Sequence, residues 1–276
     1  MKSVKLIIPI FLFVSHIFTN GLGIEGTKSN NNKPEVNGMI ITILYDNYIY
    51  ADGTIADWGF ACLIEDSENT ILFDTGAKGD ILMHNVKALN ADISKIDLIV
   101  ISHNHWDHTG GLKAVLDVKS NLKVYMPYST PKSDKDLISG TGATVITEKE
   151  PKEILDGVYL TGEMGDDIKE QSLIIDTPEG LVVITGCSHP GIVNILKQAK
   201  SILNKKIHLV FGGFHLHRHS EKEVNNIINE FKSLDVEQCG CSHCTGDEAI
   251  ELFKKAYAEN FIRIGTGKVI HIQNQR

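Results

Sequence analysis

Six consecutive residues, His103-Asn104-His105-Trp106-Asp107-His108, contain four side chains that can bind a metal ion. His103 and His105 are two positions apart, so an extended or loosely turned backbone can point both toward one cation. Asp107 and His108 can then reach a second cation close by. Imidazole and carboxylate together suit zinc, iron or manganese and argue against calcium. The segment predicts a centre of two divalent metal ions, with Zn as the expected metal and Fe or Mn as alternatives.

An apolar, β-branched segment at 96–102 precedes these side chains and predicts a buried strand. The metal-binding residues would then lie on the loop that leaves the C-terminal end of that strand. His189, His215 and His243 also follow apolar segments. Because loops of this kind open onto one edge of the sheet in α/β folds, we expect these histidines to lie near the first cluster.

Hydrophobic periodicity predicts alternating strands and helices, and the length of 276 residues can bury the core of one large α/β domain. The predicted strands are 39–45, 60–65, 69–74, 96–102, 122–126, 158–160, 173–175, 181–185, 207–211, 236–239, 261–264 and 269–272. The predicted helices are 80–89, 112–118, 192–203, 220–234 and 247–259. Ser220 with Glu223, and Thr245 with Glu248, fit the capping box that begins a helix. Residues 129–152 are polar and weakly periodic, which predicts a variable insert over the site.

The N-terminus has the composition of a targeting segment. Lys2 and Lys5 precede an apolar run at 6–18 that is too short to be a comfortable membrane span. We therefore expect a signal peptide or N-terminal anchor at 1–20, a polar linker at 21–38 and a single domain at 39–276. The expected location is periplasmic or extracellular, and an uncleaved membrane tether is the alternative.

The charge of the chain indicates which kind of partner it binds. The net charge is −8 and no cluster of Lys and Arg stands out, which argues against a nucleic-acid groove and favours a small-molecule substrate. Membrane contact is expected only through an uncleaved N-terminal segment, and the oligomeric state is not predicted.

Five cysteines do not fit a disulfide framework, because the number is odd and Cys239, Cys241 and Cys244 are crowded together. Close packing around His243 is favoured for these three over a separate zinc knuckle.

The pattern H-x-H-x-D-H after an apolar strand, with the segment 70–76 before it, resembles the signature of the metallo-β-lactamase superfamily. The resemblance implies a four-layer αββα sandwich with the metals between the sheets at one edge. It also implies that Asp74 is a structural carboxylate that orders the metal loop. The metal ligands that it implies are His103, His105 and His189 for one ion and Asp107, His108 and His243 for the other.

The chain departs from the superfamily pattern at the bridging position. Thr185-Gly186-Cys187 stands where a Thr-Gly-Asp is expected, with His189 two residues later. The favoured interpretation makes His189 a ligand and Cys187 its buried neighbour. Two alternatives remain open: Cys187 replaces the aspartate, or the second site is weak and the centre holds one ion.

Two residues are candidates for catalysis within this resemblance. Asp107 would orient the nucleophile or move its proton. His215 has no counterpart among the usual ligands, and we expect it to contact a leaving group or a developing oxyanion. A purely structural His215 is the alternative.

Several further motifs resemble a narrower branch, the dihydropterin-6-yl-methyl-(ribofuranosyl)aminobenzene 5′-phosphate synthases. They are residues 46–47, 186–194, 212–216, 243–246 and 265–269. Members join a pterin pyrophosphate to an aryl-amine ribose phosphate and release pyrophosphate. Because an exported enzyme would not meet cytoplasmic pterin intermediates, the expected function is a hydrolase that attacks an ester, phosphoester or lactone with metal-activated water. The synthase-like transferase is the first alternative, and a non-catalytic metal-binding sensor is the second.

Overall fold

The computed structural model describes residues 38–273, and in that range the chain forms two β-sheets and seven α-helices. The strands are β1 Gly38–Tyr45, β2 Ala61–Glu65, β3 Thr70–Phe73, β4 Leu98–Val100, β5 Lys123–Pro127, β6 Thr144–Glu148, β7 Lys152–Leu155, β8 Val158–Leu160, β9 Leu173–Thr177, β10 Gly180–Thr185, β11 Ile207–Gly213, β12 Val236–Ser242 and β13 Val269–Gln273. The helices are α1 Gly79–Ala88, α2 Trp106–Thr109, α3 Leu112–Val118, α4 Lys132–Ser139, α5 Ile192–Leu203, α6 Glu221–Ser233 and α7 Asp247–Tyr257.

Each sheet contains a run of parallel strands whose carboxyl ends lie at one edge. One sheet has the order β13-β1-β2-β3-β4-β5-β6, and the other has the order β12-β11-β10-β9-β8-β7. Strands β3 to β6 are parallel to one another in the first sheet, and β10 to β12 are parallel in the second. The carboxyl ends of parallel strands share an edge, which is where ligands bind in α/β sheets.

Three hydrophobic clusters give the sandwich its four layers. The central cluster joins the facing sides of the two sheets, and the rings of Phe60 and Phe211 are 6.5 Å apart within it. A second cluster packs the first sheet against α1 and α3, with Leu82 and Leu116 fully or nearly buried. A third packs the second sheet against α5, α6 and α7. The predicted αββα sandwich is confirmed, because each sheet buries one face on the other sheet and one face on helices.

Three local features differ from the elements that the sequence predicts. The segment 129–152 contains α4 and β6, which were not predicted, and β6 pairs with β5 over five residues. Its signal was weak because β6 is an edge strand with no fully buried residue. The segment 261–264 makes only an isolated bridge between Cys239 and Phe261. β7 was not predicted.

The two predicted capping boxes have different outcomes. Ser220 and Glu223 form both reciprocal bonds at the start of α6, as predicted. Thr245 does not cap α7, whose N-cap is Gly246. The Thr245 hydroxyl donates to the carbonyl of Ser242 and accepts from the amide of Phe214, so tertiary partners occupy it.

The signal peptide predicted for 1–20 and nearly all of the linker predicted for 21–38 lie outside the described residues. Within residues 38–273, no helix has the length and apolar character that crossing a membrane requires.

Candidate metal centre

Sharp backbone turns follow the strands that carry the candidate ligands. Asp74, Ser188, His215 and His243 lie just beyond β3, β10, β11 and β12 and have φ values of 56°, 66°, 53° and 52°. This left-handed region is uncommon for residues other than glycine and costs on the order of 1–3 kcal/mol at each position. His215 and His243 are themselves candidate donors, and Ser188 lies between the candidate donors Cys187 and His189.

The first pocket consists of three imidazoles. One ligand atom from each of His103, His105 and His189 lies within 4.8 Å of the others. Nε2 of His103 is 3.0 Å from Nδ1 of His105, while Nε2 of His189 is buried without a hydrogen-bond partner. A buried polar atom without a partner is unusual, and a cation at the centre would satisfy all three nitrogens. The donor set therefore fits a bound divalent cation, and three histidines are a known zinc ligand set.

The pKa values of two histidines in this pocket favour the neutral imidazole that binds a cation. Burial lowers the pKa of His103 well below its ordinary value, and the neighbouring imidazoles lower it further. Burial and the adjacent ring of His215 lower the pKa of His189 to about 4. Both side chains are therefore neutral at pH 7, which is the form that binds a metal.

The second pocket brings together four different donors: Asp107, His108, Cys187 and His243. Sγ of Cys187 is 3.3 Å from Nε2 of His108 and 3.4 Å from Nε2 of His243. Oδ2 of Asp107 is 3.3 Å from Nε2 of His243. Burial alone would raise the pKa of Asp107, but His243 and His108 hold it well below its usual range. An ionised carboxylate, two imidazoles and a thiol form a set that suits zinc.

Two buried carboxylates position the ligand loops. Asp74 accepts hydrogen bonds from the amide and hydroxyl of Ser102 and from Nδ1 of His108, each 2.7 Å long. Glu170 accepts three backbone N–H groups of the turn 187–189, at 2.9, 2.9 and 2.8 Å. Despite these bonds, burial raises the pKa of Glu170 to about 7. Partners of this kind fix the orientation of metal ligands.

Asn47 and Trp58 support the second pocket from the loop between β1 and β2. Oδ1 of Asn47 lies 3.0 Å from Nδ1 of His243, and its amide nitrogen donates to the His243 carbonyl. The indole nitrogen of Trp58 donates to Oδ2 of Asp107 over 2.9 Å, and its ring is 5.2 Å from the ring of His243. Trp58 is 45% exposed, so it forms part of the wall between the pocket and solvent.

The structure brings the predicted ligands into two adjoining groups. His103, His105 and His189 share the first pocket, and Asp107, His108 and His243 share the second. The geometry differs from the favoured interpretation at Cys187, whose thiol lies among the second-pocket donors rather than merely beside His189. This placement favours the alternative in which Cys187 replaces the bridging aspartate. The ring of His215 is 4.4 Å from that of His189.

Sequence reasoning missed Glu170 and Trp58 as contributors to the site. Glu170 lies in a polar stretch with no motif, and Trp58 lies in an irregular loop. Asn47 was noted only as part of the motif 46–47. All five cysteines are free and buried, and Cys239 and Cys241 pack in the helix-side core.

The chain is similar to a known protein family and to a protein of known crystal structure. The model of the metallo-beta-lactamase superfamily matches residues 59–167, which include β2 to β8 and the metal loop. The chain is also similar to a metal-dependent hydrolase of the beta-lactamase superfamily with a known crystal structure. The two are 30% identical with a TM-score of 0.72, and the match covers 86% of this chain and 100% of that one.

Two proteins of Methanocaldococcus jannaschii are similar over most of the chain. One is a 7,8-dihydropterin-6-methyl-4-(beta-D-ribofuranosyl)-aminobenzene-5′-phosphate synthase, 29% identical, with 85% of this chain and 96% of that one covered. The other is an uncharacterized protein, 33% identical, with 84% of this chain and 100% of that one covered.

Proposed function

The chain belongs to the metallo-β-lactamase superfamily, and on that premise we propose that it is a metal-dependent hydrolase of an ester, phosphoester or lactone. The observation that carries the proposal is the direct contact between the two donor sets: the rings of His103 and His108, one from each pocket, are 4.2 Å apart. Two cations held there would act as Lewis acids on a substrate oxygen and lower the pKa of water.

The residues around these pockets would orient a water molecule and move its proton. Asp107 is ionised and only 5% exposed, and Trp58 and His243 hold its Oδ2. Its carboxylate therefore has a fixed direction, which general-base catalysis requires. The turn 187–189 is fixed by Glu170, so the ligand from β10 also reaches the substrate region from a rigid support.

Metal analysis together with turnover tests the proposal. Protein purified without chelator or added metal is assayed for zinc, iron and manganese and, in the same sample, for turnover of a phosphodiester, a phosphomonoester and a lactone. We expect about two or more equivalents of metal and turnover of at least one substrate class. His105→Ala should lose the metal of the first pocket and activity together, while His84→Ala, at an exposed position outside the centre, should keep both. Full turnover by metal-depleted His105→Ala protein would refute the hydrolase mechanism.

A synthase-like transferase is the second candidate, and similarity to the M. jannaschii synthase over 85% of the chain favours it. In that reaction, cations in the two pockets would neutralise a departing pyrophosphate. Incubation with a pterin pyrophosphate and an aryl-amine ribose phosphate, with pyrophosphate release as the readout, separates the two proposals. Release of pyrophosphate only when both substrates are present would establish the transferase. Full metal loading without turnover in either assay would favour a metal-binding sensor.

Export is a related proposal, supported by the Lys-flanked apolar run at 6–18. Intact mass measurement of the chain from its natural host would test it. Loss of roughly the first twenty residues would support export and hydrolysis. An intact N-terminus on cytosolic protein would favour the transferase.

A further inference from the structure

Three side chains next to the second pocket form a separate group of metal-capable atoms. One atom from each of Cys187, His215 and Cys244 lies within 4.8 Å of the others. They follow β10, β11 and β12, the three neighbouring parallel strands of the second sheet. Sγ of Cys244 is 3.5 Å from the carbonyl oxygen of Cys187, so the turn after β12 lies directly against the turn after β10.

An unpartnered ring nitrogen on one member of this group, His215, supports a ligand beside it. Nδ1 of His215 is buried and has no hydrogen-bond partner. Buried polar atoms are nearly always paired, because leaving one unpaired forfeits its hydration. His215 also has a left-handed backbone, with φ of 53°, which is an uncommon conformation for this residue type. The ring is therefore held beside the thiols at a conformational cost although its Nδ1 atom has no protein partner.

Gly213 leaves space for this group. A Cβ atom at position 213 would lie 2.8 Å from Sγ of Cys244, 3.1 Å from Cδ2 of His243 and 2.4 Å from the carbonyl oxygen of Gly186. The first atom belongs to this group, the second to the second pocket, and the third to the backbone of the turn after β10. A larger residue at 213 would force the Gly186 backbone, the Cys244 thiol or both to shift.

Cys244 differs from the other cysteines of its segment. Cys239 and Cys241 pack in the apolar cluster between the second sheet and its helices. Cys244 follows the strand in the turn that carries His243, and it faces Cys187 and His215 instead. Apolar packing therefore accounts for two of the three crowded thiols but does not account for the group that contains Cys244.

We propose that Cys187, His215 and Cys244 form a third cation pocket, which shares the Cys187 thiolate with the second pocket. Two thiolates and one imidazole suit a soft or borderline cation such as Zn²⁺ and disfavour Mg²⁺ or Ca²⁺. Binding releases the thiol protons to solvent as the two sulfur–metal bonds form. His215 then acts as a ligand, in place of the substrate contact that the sequence predicted for it.

Cadmium titration of the full chain tests this pocket without any assay of turnover. Metal-free, reduced protein is titrated with Cd²⁺ while thiolate-to-cadmium absorbance is recorded in the ultraviolet, and bound metal is counted after gel filtration. We expect Cys244→Ala to lose one equivalent and part of the absorbance. The matched control is Cys241→Ala, a buried thiol outside every donor group, which should keep both. His215→Gln should lose the same equivalent while retaining every thiol, so it also covers the case in which Cys244→Ala folds poorly.

A double variant distinguishes a third pocket from support of the second one. His243 belongs only to the second pocket and Cys244 only to the third. If the pockets are distinct, Cys244→Ala and His243→Ala combined lose two equivalents, the sum of the single losses. The proposal is overturned if the combination loses only one equivalent, or if Cys244→Ala and His215→Gln both bind as much Cd²⁺ as the wild type. Loss of hydrolysis with normal Cd²⁺ stoichiometry would concern the proposed function alone.

Discussion

Oδ2 of Asp74 lies 2.7 Å from Nδ1 of His108, and both side chains are completely buried. Because this bond occupies Nδ1, the ring can present only Nε2 to the second pocket, where the Cys187 thiol is 3.3 Å away. The carboxylate at the end of β3 therefore selects which nitrogen of a ligand on the next loop faces the cation position.

The buried pair should give the metal-free protein a pH-dependent stability. Burial would lower the pKa of His108, but Asp74, Asp107 and Glu170 together raise it to about 9, above the ordinary value of 6.5. A raised folded-state pKa stabilises the fold fully below about pH 6.5, and this contribution is lost as pH rises through about 9. We expect the free energy of unfolding to differ between wild type and Asp74→Asn by about 3 kcal/mol at pH 6 and by much less at pH 9.5. Urea denaturation of chelator-treated protein measures the difference, and a gap that widens with pH would contradict the assignment.

Asn47 should control the affinity of the second pocket through His243. Asn47→Ala removes the acceptor at Nδ1 of His243 and the donor to its carbonyl. Loss of such a partner typically lowers metal affinity by about 10- to 100-fold. Competition with a chromophoric zinc chelator measures the change. Asn47→Asp retains the acceptor oxygen and should restore most of the affinity, while exposed Asn194→Ala serves as the control. Equal weakening by the Asp and Ala variants would show that the acceptor is irrelevant.

Trp58 should act on turnover more than on metal content. Trp58→Phe keeps an aromatic ring but removes the N–H group that Asp107 accepts. A hydrogen bond to a charged group contributes about 1.5–3 kcal/mol, so we expect kcat/KM to fall by about tenfold or more. Metal content should stay near that of the wild type, because Trp58 supplies no ligand. Trp106→Phe, at a side chain that is 61% exposed, is the control. If both variants retain full kcat/KM, the indole has no positioning role.

Gly213→Ala should disturb the turns that carry Cys187, His243 and Cys244. The added methyl group meets backbone at 2.4 Å and the Cys244 thiol at 2.8 Å, so the turn must move. Overpacking of this kind typically costs about 1–3 kcal/mol. We expect a lower Tm and loss of bound metal, measured by calorimetry and elemental analysis. Gly140→Ala, whose nearest contacts are 3.3 Å, should change neither by a comparable amount. A Gly213→Ala protein with full metal content would show that this space is not required.

The fold and the grouping of the candidate ligands were predictable because each depends on local pattern. His103, His189 and His243 lie in the turns that follow apolar strands, and such turns share one edge of the sheet, whatever the details of packing. Other features depend on tertiary contacts that no local pattern contains. Thr245 has the spacing of a helix cap, but Phe214 and Ser242 occupy its hydroxyl.

Glu170 and Trp58 could not be predicted from the sequence, because they reach the site through contacts between distant parts of the chain. Glu170 lies 17 residues before Cys187, from whose amide it accepts a hydrogen bond. Trp58 lies 49 residues before Asp107, to which its indole nitrogen donates. A carboxylate in a polar stretch and a tryptophan in a loop have many ordinary explanations. Only the folded arrangement shows that both contact the candidate metal-binding residues.

The second pocket takes His108 from the first sheet and His243 from the second, so its donors come from distant parts of the chain. A cation held there would cross-link the two halves of the sandwich, much as a disulfide does, and would restrict the unfolded chain across a long loop. Its binding free energy would count as folding free energy. The lifetime of the folded protein, and with it the amount that escapes proteolysis, would then follow the supply of its metal.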